Sequence, residues 1–155
     1  MPHPSNDSRR SSIAGLSLIK QFEGFAPKTY DCPAGKPTIG YGHVVLPGES
    51  FTELTEAQAS DLLAKDLLKF EAGVKRLVNV PLTQHQFDAL VSFAFNVGIG
   101  ALGESTALKR INAGNHAEVP AALAMWNKAT VKGKLTELPG LTRRRRAEGD
   151  LYLRP

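Results

Sequence analysis

Apolar and polar positions repeat with two different periods along this chain of 155 residues, and the change of period lays out its elements. Leu16, Ile19 and Glu23 fall at i, i+3 and i+7, and Gly24 follows as a stop, which predicts a short helix over 13–23. Pro27, Pro33, Gly35 and Pro37 then mark a turn-rich stretch with short strands, ending in an extended run over 38–45. Thr55-Glu56-Ala57-Gln58 has the spacing of a capping box. Leu62, Leu63, Leu67, Phe70, Val74 and Leu77 continue from it as one apolar face, so a long helix is expected.

A further helix is expected to open around 81–86. Its stripe is Phe87, Leu90, Val91 and Ala94, with Gly98 and Gly100 as breaks. Ser105-Thr106 restarts a short helix that ends near Asn112-Ala113-Gly114. Another helix carries Leu123 and Trp126, and a last one runs from about 142 to 153. The fold class read from this pattern is α+β and mostly helical, with one small antiparallel β element near the N-terminus. Residues 1–12 are too polar to bury anything and are expected to form a flexible tail, leaving 13–155 as the folded domain.

Composition changes the picture in a few places. A hydrophobic content of 42% suits one soluble domain, or two lobes sharing a core. No apolar run approaches the roughly 20 residues that span a bilayer, so no membrane insertion is expected. The polar start shows no secretory signal, which predicts a cytoplasmic location in the producing cell. A net charge of +4 favours an anionic partner but does not choose between a wall polymer and nucleic acid. Arg143-Arg144-Arg145-Arg146 raises the second option. At a helix start, however, its members point in different directions, and Glu148 and Asp150 stand ready to pair with them. A solvated or salt-bridged structural role is therefore the reading, with no nucleic acid bound. His3, His43, His85 and His116 are scattered, so no metal and no cofactor is expected.

The single cysteine excludes an intrachain disulfide and directs attention to its surroundings. Glu23 ends its helix at the negative pole of the macrodipole and is flanked by Phe22 and Phe25. Both features favour a carboxyl that keeps its proton, as a general acid must. Cys32 follows after a turn, and Thr38 opens Thr38-Ile39-Gly40-Tyr41-Gly42-His43. An acid, a polar partner and a hydroxyl able to hold water are what glycosidic hydrolysis needs on the two faces of a sugar ring. Strand alternation places Thr38, Gly40 and Gly42 on one face, a bare floor for a sugar, and Ile39, Tyr41 and His43 on the other. His43 is then a structural histidine. A free thiol is a weaker base than a carboxylate near neutral pH. Asp31 beside it is a candidate only if the backbone bulges there.

The segments Glu23-Gly24-Phe25, Tyr30-Asp31-Cys32-Pro33-Ala34-Gly35 and Thr38 to His43 closely resemble the signature of phage-type lysozymes, the endolysin family. Later blocks extend the resemblance from about residue 15 onward: Leu82 to Gly98, Ser105-Thr106 and Pro139 to Arg145. It implies a lysozyme-like fold of two lobes joined by the long helix, with the glycan held between them. It implies Glu23 as general acid, with Cys32 and Thr38 holding and activating water. It places Val44, Phe95 and Ser105 along the glycan, though Phe95 also reads as plain core and Ser105 as a helix N-cap.

The implied activity is that of a muramidase. It cuts the β-1,4 bond between N-acetylmuramic acid and N-acetylglucosamine in peptidoglycan, working as a monomer and reaching the wall through a separate holin-type factor. A lytic transglycosylase would need the glutamate without a water-holding pair. A silent peptidoglycan-binding module would have lost the acid.

Overall fold

The computed structural model describes residues 1–32 and 35–155, so Pro33 and Ala34 of the turn-rich signature lie outside the described residues. In chain order the helices are α1 (Ile13–Glu23), α2 (Glu56–Leu77), α3 (Gln84–Val97), α4 (Ile99–Glu104), α5 (Thr106–Asn112), α6 (Val119–Ala124) and α7 (Pro139–Leu153). The strands are β1 (Ala26–Asp31), β2 (Pro37–Gly40), β3 (His43–Val44), β4 (Lys128–Val131) and β5 (Lys134–Glu137). The molecule is α+β and 57% helical, as its pattern predicts. It divides into two compact units: 19–69, and 1–18 with 70–155. Helix α2 gives residues to both.

In the unit 19–69 the three strands form an antiparallel sheet in the order β1-β2-β3. Tyr30 pairs with Thr38, and Thr38 with Val44. The extended run expected over 38–45 is broken: β2 and β3 are joined by the turn Gly40-Tyr41-Gly42, so that Ile39 faces His43. Both glycines of the turn are left-handed, with φ of +68° and +80°, a conformation open to glycine at little steric cost. This explains the glycines differently from the expected bare floor. Turn geometry requires them, and Gly40 is buried against Ala59 rather than open to a ligand. Ile19, Ile39, Tyr41, Ala59, Leu63 and Leu67 make up the core. The capping box at the start of α2 is present: Gln58 N–H donates to Thr55 Oγ1 at 3.1 Å, and Thr55 N–H donates to Gln58 Oε1 at 2.9 Å.

In the second unit α3 is buried on all sides over 87–94, not along a stripe alone. Two polar residues there find partners. Ser92 Oγ donates to Glu148 Oε2 at 2.6 Å, and Asp88 receives Ser12 N–H at 3.0 Å and the Ser12 hydroxyl. Thr83 and Gln86 form its capping box. Gly98 ends α3 as expected, but Gly100 lies inside α4 and breaks nothing.

The N-terminal segment departs furthest from expectation. Instead of a flexible tail, residues 1–12 are fastened to this unit. Asn6 is fully buried, its amide donating to Val80 O at 2.8 Å and accepting from Leu82 N–H at 2.9 Å. Arg10 Nε pairs with the buried carboxylate of Glu71 at 3.0 Å, and Ser11 gives that carboxylate both its N–H and its hydroxyl. Low hydrophobicity does not exclude burial when each polar group has a partner.

A β4–β5 hairpin, also outside the sequence reading, closes through Lys132-Gly133 with φ of 50° and 77°.

Candidate active site

The end of α1 and the β2–β3 turn position the candidate acid. Gly24, at φ +74°, stops α1 directly after Glu23, and its N–H returns to Lys20 O at 2.9 Å. Tyr41 in the turn is nearly buried. Its ring lies 5.6 Å from that of Phe25, with Lys20 Nζ 5.3 Å over its face. Lys20 and Phe25 bracket Glu23 in sequence, so the stretch that carries the acid also grips the turn. The Glu23 carboxyl, half-buried, lies against the α-carbon of Gly42: a Cβ built there would stand 2.5 Å from Glu23 Oε1. Nearness of Glu23 to residue 42 was not foreseeable from strand alternation. It depends on the turn.

Cys32 and Thr38 meet at one backbone carbonyl. Lys36 O accepts the Cys32 N–H at 3.0 Å and the Thr38 hydroxyl at 3.1 Å. With its hydrogen committed there, Thr38 Oγ1 keeps lone pairs to accept a further hydrogen bond. Tyr30 pairs with Thr38 and shares its face, whereas Asp31 pairs with Pro37 and faces the other way, exposed. The irregularity in the β1–β2 register lies between Ala26 and Tyr30, ahead of Asp31, and does not turn it round.

Val44, opposite Thr38, is 41% exposed. Glu23, Cys32, Thr38 and Val44 therefore all belong to the unit 19–69, while Phe95 and Ser105 belong to the other. Phe95 stacks edge-on against Phe70 at 5.3 Å. Ser105 is buried, caps α5 by accepting Leu108 N–H at 3.1 Å, and donates its hydroxyl to Leu102 O at 2.7 Å.

His43 is held by two carboxylates. Its Nδ1 lies 2.8 Å from Asp66 Oδ2, and its Nε2 lies 2.9 Å from Glu49 Oε1. Burial works against the charged ring, but the bonds to Glu49 and Asp66 outweigh it and raise the imidazole above its ordinary range. The Leu46 N–H and His43 together lower Glu49. This is the structural histidine expected, although neither partner had a sequence signal. Among the described residues no group of three or more His, Cys, Asp or Glu side chains is arranged to hold a metal.

The arginine run divides. Arg144 and Arg145 are buried around Glu148, at 3.3 Å and 2.7 Å, while Arg143 and Arg146 stay exposed. Burial raises the Glu148 carboxyl and lowers the Arg145 guanidinium. The run therefore supplies structure, not a basic surface stripe.

A terminal helix carboxyl beside a small sheet, in which one carbonyl receives a threonine hydroxyl and the backbone N–H of a cysteine, is the material of a lysozyme-type glycosidase. The sequence profile of phage lysozyme matches residues 20–148, and the chain belongs to that family of glycoside hydrolases. An endolysin of Acyrthosiphon pisum secondary endosymbiont phage 1 is 43% identical over 143 residues, 91% of this chain and 96% of that one. The endolysin of Escherichia coli O157:H7 phage FAHEc1 superposes with a TM-score of 0.88 at 45% identity, covering 94% of both chains. The muramidase domain of SpmX from Asticaccaulis excentricus does so with a TM-score of 0.87 at 43% identity, covering 95% of this chain and 99% of that one.

Proposed function

We propose that this endolysin of the phage lysozyme family lyses cells by hydrolysing the β-1,4 bond between N-acetylmuramic acid and N-acetylglucosamine in peptidoglycan. Glu23 gives its proton to the departing glycosidic oxygen as the bond to the anomeric carbon breaks. Cys32 and Thr38 hold and activate the water that adds to that carbon. The proton it sheds passes through solvent and restores Glu23, and the product carries a free reducing end. The observation that carries this reading is the shared Lys36 carbonyl. It commits the Thr38 hydroxyl hydrogen and leaves the oxygen as an acceptor able to orient water beside Cys32. Val44, Phe95 and Ser105 border the glycan in the same proposal, Ser105 through the helix end it caps. The enzyme works as a monomer and passes from the host cytoplasm to the wall by way of a separate membrane-permeabilising factor.

Mass spectrometry of muropeptides released from purified peptidoglycan tests the chemistry. Wild type is expected to release products with reducing-end muramic acid, and Glu23→Gln to lose activity by at least about 100-fold, the usual scale for removing a general acid. Anhydro-muramic products from wild type would instead assign a transglycosylase, which uses the acid but no water. Undiminished activity in Glu23→Gln would remove Glu23 from the reaction.

A further inference from the structure

Gly40 and Gly42 lie in one turn and share one backbone strain. Both are left-handed, so an L side chain at either position is disfavoured by a similar amount. They differ in what that side chain would meet. A Cβ on Gly40 would come 3.4 Å from Ala59 Cβ, at the edge of ordinary contact. A Cβ on Gly42 would come 2.5 Å from Glu23 Oε1 and 3.2 Å from its Cδ. The first distance is shorter than any non-bonded carbon–oxygen contact can hold, so carboxyl and side chain cannot both occupy those places. The turn cannot easily retreat, because Tyr41 is held between Phe25 and Lys20 on either side of the acid. The carboxyl is the far end of a flexible side chain, whereas the turn is backbone, so it is the carboxyl that would give way.

We propose that Gly42 is a positioning residue for the acid. Its bare α-carbon is the seat that fixes where the Glu23 carboxyl rests and hence where its proton is presented. This inference rests on Glu23 being the proton donor. General-acid transfer needs a heavy-atom separation of about 2.6–3.2 Å, and a displacement of about 1 Å can cost on the order of 100-fold in rate. A methyl group at 42 should therefore leave a folded protein whose acid is out of place.

Gly42→Ala and Gly40→Ala, measured side by side, separate displacement of the acid from backbone strain. With solubilised peptidoglycan as substrate, Gly42→Ala is expected to lose about 100-fold in kcat with KM within about twofold. Gly40→Ala is expected to keep kcat within a few-fold while its melting temperature falls. Equal kcat losses in the two variants, or full kcat in folded Gly42→Ala, would overturn the seat.

If Gly42→Ala melts below the assay temperature, the same contact is read by stability alone. Truncating the acid empties the space, so Gly42→Ala made in a Glu23→Ala background should melt with no greater penalty than Gly40→Ala in that background. A penalty as large as in wild type would overturn the proposal. Glu23→Gln keeps the two ideas apart. An active Glu23→Gln removes the acid assignment itself, whereas an inactive Glu23→Gln with equal glycine variants removes only the seat.

Discussion

Holding His43 between Asp66 and Glu49 ties one proton to the stability of the sheet unit. The folded histidine binds its proton more tightly than the unfolded chain does, so its contribution is complete below the ordinary value of 6.5 and is lost as pH rises through the raised folded value. Glu49 is lowered, so its part is present above 4.5 and disappears as pH falls through its folded value. The clamp is at full strength between those two ordinary values. The melting temperature of wild type should exceed that of His43→Gln most between about pH 4.5 and 6.5 and converge with it at alkaline pH. A gap that stays constant from about pH 4.5 into the alkaline range would show that the histidine acts by packing alone, for instance against Phe51 at 5.7 Å. At this scale the sequence was partly legible. That His43 is structural follows from its place in the motif. Asp66, 23 residues away, is brought to it only by the fold. Gly15 is similar: a Cβ there would meet Asp88 Cβ and Cγ at 2.8 Å, a close approach with no local signal.

Among elements, the first three helices were legible because each carries its own punctuation, whereas α4, α6 and α7 start without a side-chain cap. Gly24 stops α1, Thr55 and Gln58 open α2, and Thr83 and Gln86 open α3. The β4–β5 hairpin was not. Its strands read Lys-Ala-Thr-Val and Lys-Leu-Thr-Glu, with Val131 and Leu135 both exposed, so no buried face imposes an alternation to detect. Its turn holds Lys132 where a primed turn prefers asparagine, aspartate or glycine. Lys132→Asn should therefore raise stability by about 0.5–1 kcal/mol, seen as a higher denaturation midpoint with an unchanged slope. The single extended run expected over 38–45 gives way to a turn for a related reason. Two glycines in an alternating strand and two glycines in a turn look alike until the φ of each is known, and that φ is set by the pairing of Ile39 with His43.

At the scale of the whole chain, hydrophobicity misjudged what is inside. Arg144, Arg145, Glu148, Asp88, Glu71 and Asn6 are all buried, each bonded to at least one group distant in sequence. Glu148 joins α7 to α3 through Ser92 while standing between two guanidiniums. Replacing it with alanine would leave both cations buried without their counter-charge. The loss should be about 3–5 kcal/mol in chemical denaturation, whereas Asp150→Ala on the exposed side of α7 should change little. Equal effects from the two would mean that the buried network carries no special weight. The fastening of residues 1–12 has its own consequence, for exchange with solvent. A chain terminus ordinarily frays at almost no cost, and its amides trade hydrogen for deuterium at once. Here, release of Ser11 and Ser12 strips donors from two buried carboxylates, and release of Asn6 strips the backbone of Leu82. The amides of Ser11, Ser12 and Leu82 should exchange together, as slowly as the helices they anchor, so that this end of the chain behaves as interior.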